Sequence, residues 1–174
     1  MGRKEILTQL AGGDRRSIGQ SDRVAKVVRA DRKMFATLME GLWSEDAVVR
    51  MRAADAAEKV TREKPEWLAP YRKELLGLLA ETEEQEVRWH LAVIVPRVEL
   101  SSRERLAVFG VLTRYLEDRS SIVKTFALQG LADLANNESR IRPMVVETLR
   151  QATRTGTPAM KARSRKLLQQ LESR

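Results

Sequence analysis

His90 is the only histidine in the chain, and there is no cysteine. A hydrolytic relay needs a nucleophile and a carboxylate beside an imidazole, and no nucleophile motif accompanies His90. One imidazole without thiolates or a carboxylate cluster does not make a zinc site either. The residues that invite chemistry are cationic. Lys161, Arg163, Arg165 and Lys166, with Arg150 and Arg154 upstream, form a basic cluster suited to polyanions. The spacings 161/165 and 163/166 place pairs on shared helix faces. No aromatic residue lies between 139 and 174, so contact would run to a phosphate backbone rather than to stacked bases. Gly12-Gly13 is not a phosphate loop, and no Gly-x-Gly run precedes a helix, so the sequence asks for no cofactor and no metal.

Charge is unevenly placed. Residues 1–30 hold 7 basic and 3 acidic groups, residues 31–138 hold 16 and 19, and residues 139–174 hold 9 and 2. Both ends are therefore basic and the middle slightly acidic. Basic ends attract acidic surfaces or phosphates, or they keep the terminal faces of an array wet. The absence of Cys points to a reducing compartment, and no apolar run approaches the roughly 20 residues of a membrane span. A cytoplasmic protein with no membrane contact is expected.

The elements that must position these groups repeat. Val49-Arg50-Met51-Arg52-Ala53-Ala54, Val87-Arg88-Trp89-His90-Leu91-Ala92 and Val123-Lys124-Thr125-Phe126-Ala127-Leu128 share one pattern, and Met160 to Arg165 is a worn fourth copy. Intervals of 38, 36 and 37 residues mark stacked helical units. Each copy predicts an inner helix with apolar residues at helical spacing, for example Val49, Ala53, Ala56 and Val60. Met34 to Leu42 predicts the preceding helix of the first unit, and Pro70 a kink in that of the second. Thr82-Glu83-Glu84-Gln85 and Ser101-Ser102-Arg103-Glu104 read as capping boxes, and Thr157-Pro158 as a cap followed by Pro at the first helical position.

These motifs resemble the HEAT family of helical repeats. Asp46 to Ala54 is similar to that family's turn-and-inner-helix motif, Asp-x-x-Val-Arg-x-x-Ala-Ala, and Glu84 to Ala92 departs from it only at the acid and the first Ala. Ser120 to Leu128 departs at the acid, and the copy after Thr157 departs most. The resemblance spans residues 31–174. It implies an all-α fold, a right-handed α-α superhelix forming a short solenoid of about four helical hairpins. The single domain 1–174 would comprise an N-terminal helical cap (1–30) and repeats at about 31–63, 64–99, 100–136 and 137–174.

Such repeats serve mostly as scaffolds. Arg50, Arg88, Lys124 and Lys161 form one basic column, which by resemblance pairs with turn carbonyls or acids such as Glu45, Asp46, Glu83, Glu84 and Asp118. A second column, Arg52, His90, Phe126 and Arg163, with Asp55, Val93, Gln129 and Lys166 one turn on, is expected to be exposed on the concave side. Its mixed chemistry suits a protein partner. The leading expectation is a non-catalytic scaffold that binds protein through Arg52, Asp55, His90, Val93, Phe126 and Gln129. The alternative is a nucleic-acid module that uses the basic ends. A third reading comes from HEAT-like alkylpurine DNA glycosylases, whose concave face carries aromatic and acidic residues, but Trp89 with Asp55 or Asp133 is a thin match to it.

Overall fold

A computed structural model describes residues 3–14 and 16–173. Among the described residues there are ten α-helices and no strand: α1 (Arg3–Leu10), α2 (Ser21–Ala30), α3 (Phe35–Glu40), α4 (Ala47–Thr61), α5 (Arg72–Glu81), α6 (Gln85–Ile94), α7 (Ser102–Tyr115), α8 (Ser121–Ala135), α9 (Arg142–Thr155) and α10 (Pro158–Glu172). They group into two compact units, Met1–Pro70 and Tyr71–Arg174.

In the first unit α2 packs on α4 through Val24, Ala25 and Val28, all buried. The Asp46 carboxylate caps α4 by accepting from the Val48 N–H at 2.8 Å. Ala53, Ala54, Ala56 and Ala57 are fully buried, and their small side chains let neighbouring backbone come close: a Cβ on Gly41 would lie 2.8 Å from that of Ala53. The single helix expected from Met34 to Leu42 is instead α3 flanked by 3-10 turns, Arg32–Met34 and Gly41–Trp43. The Asp31 side chain accepts from the Lys33 N–H and fixes the first of them. Pro70 does not kink an α-helix. The whole of Pro65–Tyr71 is 3-10, and α5 starts at Arg72, beyond the residue that cannot donate a backbone bond.

In the second unit α5 packs on α6, α7 on α8 and α9 on α10, and α8 also meets α6 and α10. These pairs are joined by short turns, as helical hairpins are. The Ser101 capping box forms with both reciprocal bonds to Glu104. Ser120 and Thr157 cap α8 and α10. The box expected from Thr82 does not form: Glu84 is the N-cap residue and its side chain does not cap the helix, while Thr82 Oγ1 accepts from the Glu84 N–H at 3.3 Å. Thr82 is extended, so its hydroxyl is spent on the turn before the helix begins. Pro96 tightens the end of α6 into a 3-10 turn, Val95–Arg97.

Candidate functional site

Four of the six residues expected on an exposed partner-binding column are buried: Arg52, Asp55, His90 and Val93. The reason differs at each. The segment after α1 covers Arg52, whose guanidinium donates to the carbonyls of Leu10, Ala11, Gly12, Asp14 and Ser17 at 2.6–3.2 Å. Asp55 lies beneath α2, where it accepts from the Ser21 hydroxyl and from Lys59 Nζ at 2.6 Å. His90 directs Nδ1 at the Glu86 carbonyl, 2.6 Å away, which places a proton on that nitrogen. Val93 is part of the buried face of α6. Periodicity located these residues on their helices but did not show which faces the neighbouring elements cover.

The remaining members assemble within the second unit. Phe126, Gln129 and Asp133 share a face of α8, three and then four residues apart. From α6 the Trp89 ring approaches Phe126 with centroids 4.9 Å apart and planes tilted by 40°. From α10 the Arg163 guanidinium lies 5.4 Å from the Phe126 centroid and donates to Gln129 Oε1 at 2.8 Å. The Gln129 amide in turn donates to Asp133 Oδ1 at 2.9 Å. All five side chains are half-buried. Burial pushes the Asp133 carboxyl up, against the opposing pull of Gln129, Arg97 and Arg163. The patch is thus preorganised, with aromatic faces, one cation held in place by a ring and an amide, and an acid less willing to ionise than usual. The part played by Asp133 was legible only as its four-residue spacing from Gln129, which allows a side-chain bond on one helix face.

The basic cluster divides. Arg150 and Arg154 are exposed but pair with Glu172 and Glu147, each at 3.2 Å. Arg163 is committed to the aromatic patch. Lys161, Arg165 and Lys166 have no ion pair among the described residues, and Arg165 and Lys166 are exposed. In the other basic column Arg50 donates to the carbonyls of Ser44 and Glu45, and Arg88 to that of Thr82 and to Asp118. No group of three or more His, Asp or Glu that could hold a metal occurs among the described residues, and none of the described helices is long and apolar enough to cross a membrane.

No protein-family model matches the chain, and no curated protein matches it. Its structure is similar to the crystal structure of an engineered protein determined by the Northeast Structural Genomics Consortium, with a TM-score of 0.65 at 19% identity. That likeness covers 99% of this chain and 80% of the other. At such identity it bears on the fold alone.

Proposed function

We propose that the chain is a non-catalytic helical-repeat scaffold of the HEAT kind, its hairpins stacked as a short right-handed superhelix, and that it holds a protein partner on the face formed by α6, α8 and α10. The repeat reading is supported by register. The N-cap positions Asp46, Glu84, Ser120 and Thr157 each stand four residues before the basic column Arg50, Arg88, Lys124 and Lys161. The observation that carries the binding reading is the half-exposed stack of Trp89, Phe126 and Arg163. Aromatic and Arg side chains held in one geometry anchor protein interfaces, because little freedom remains to be lost on binding.

A second reading, nucleic-acid binding through the basic end, is favoured by Lys161, Arg165 and Lys166, which no acid neutralises among the described residues. One comparison separates the two. The chain is titrated into labelled duplex DNA, single-stranded DNA and RNA across salt, and a protein captured from cell extract is tested against variants. Loss of that protein with Trp89→Ala and Phe126→Ala, but not with Arg165→Glu and Lys166→Glu, supports the scaffold. Log-linear, salt-sensitive oligonucleotide binding lost with the latter pair instead assigns the chain to nucleic acid.

A further inference from the structure

Tyr115 and Ala152 hold the same position ahead of successive N-cap residues, Ser120 and Thr157, and so do Asp118 and Thr155. At the first site the space is filled. Tyr115 is buried and its hydroxyl donates to the Leu79 carbonyl at 2.5 Å. Arg88 covers that ring at 5.3 Å and meets Asp118 at 2.7 Å. At the second site both partners are missing from the sequence. Ala152 supplies no ring, Thr155 supplies no carboxylate, and the basic residue equivalent to Arg88 is Lys124. Lys124 is half-buried, and its ammonium makes no hydrogen bond or ion pair among the described residues.

A groove of about 810 Å³ opens there, lined by Lys124 and by Leu116, Leu128, Met144, Ala152 and Met160. Met144 is about half exposed, at 49%. Of the acids that also line the groove, Glu147 is paired with Arg154, and Glu117 is solvent-exposed. A cation beside apolar walls calls for a ligand with the opposite charge and a large apolar group.

We propose that this groove docks a segment of a partner protein that presents an aromatic ring and a carboxylate about one turn apart, the ring in the space that Tyr115 fills one unit earlier and the carboxylate on Lys124 as Asp118 is on Arg88. The site shares no residue with the Trp89–Phe126–Arg163 patch and stands whether or not that patch binds.

The probe is a synthetic peptide with the sequence of residues 109–120, which contains Tyr-Leu-Glu-Asp, titrated to millimolar concentration into the ¹⁵N-labelled full chain and followed by amide NMR shifts. Saturable shifts are expected at Lys124, Thr155 and Gly156. Replacing the peptide's Tyr by Ala, or its second acid by Asn, should weaken binding about tenfold. Lys124→Glu should do the same, and so should the surface change Met144→Lys, while Ala152→Tyr with Thr155→Asp should fill the groove and abolish binding. Trp89→Ala should leave it unchanged. Absence of shifts at these amides, or binding indifferent to both Lys124→Glu and Met144→Lys, overturns the proposal. So does a single-stranded oligonucleotide that binds at these amides more tightly than the peptide.

Discussion

Arg88 Nη1 lies 2.7 Å from Asp118 Oδ2, while the Nε of the same guanidinium donates to the Thr82 carbonyl at 2.8 Å. One planar group thereby ties the turn before α6 to the turn before α8. Burial works against an ionised Asp118, but the Ser120 N–H and the Arg88 guanidinium outweigh it and hold the carboxyl below its ordinary value. An ammonium lacks the fork that spans both acceptors, so Arg88→Lys should cost about 1–2 kcal/mol in urea denaturation. A lowered carboxyl contributes fully above its unfolded pKa and loses that contribution as pH falls through the folded one. Between neutral pH and pH 3, wild type should therefore lose more stability than Asp118→Asn.

The Tyr115 phenol responds at the other end of the scale. Burial pushes it up to about 12, partly offset by Arg88. A raised pKa means that the stabilising protonated form is complete below about 10 and is lost as pH climbs toward 12. Tyr115→Phe should cost about 1 kcal/mol at neutral pH, since the Leu79 carbonyl loses its donor. The variant should also show a shallower decline than wild type between pH 10 and 12, read as thermal midpoint against pH with ultraviolet titration of the phenol.

The helices were largely legible because caps and apolar spacing are local. Ser101, Ser120 and Thr157 act where their types and positions said they would. The conformation of residues 65–71 was not, because a Pro signals interruption without saying whether the turns around it remain α or tighten to 3-10. The patch was half legible. Phe126, Gln129 and Arg163 were placed on the right columns, whereas the burial of Arg52 depends on where the loop between α1 and α2 folds back, which no periodicity encodes. The groove beside Lys124 is the converse case. Its two missing partners, Ala152 for Tyr115 and Thr155 for Asp118, can be read from the repeat once the caps fix the alignment.

Arg52 anchors the backbone of Leu10, Ala11, Gly12, Asp14 and Ser17. Its charge is solvated by backbone carbonyls from that segment, so removing it strands the buried Leu10 carbonyl and loosens the part-buried bonds to Ala11, Gly12, Asp14 and Ser17 at once. Arg52→Ala should cost about 3 kcal/mol. It should also speed hydrogen exchange across residues 10–19 far more than across α8. Gly19 has φ +53°, and a Cβ there would lie 2.6–2.8 Å from the Arg52 guanidinium. Gly19→Ala should therefore reproduce the local loss of protection in milder form. Uniform exchange changes across the chain in both variants would show that the segment is not a separable element.

Three helical glycines make opposing predictions. A Cβ on Gly130 of α8 would fall 2.1 Å from the Ala92 carbonyl oxygen and 2.9 Å from Leu112 Cδ1. Ala92 belongs to α6, so the obstacle is the backbone of a packed neighbouring helix, not the end of a flexible side chain. Replacing Gly by Ala gains about 1 kcal/mol of helix propensity. Forcing α6 and α8 apart costs about 1–3 kcal/mol or more, as overpacking does in a filled core, and at 2.1 Å the upper part of that range applies. The steric term wins, and Gly130→Ala should destabilise the chain by about 1–2 kcal/mol net. At Gly77 of α5 and Gly110 of α7, nothing lies within 4 Å of the added atom. There the propensity acts alone, and Gly77→Ala and Gly110→Ala should each stabilise by about 0.5–1 kcal/mol. Denaturation midpoints of the three variants check both signs together, and a stabilising Gly130→Ala would mean that α6 and α8 are not packed as closely as the Ala92–Gly130 contact implies.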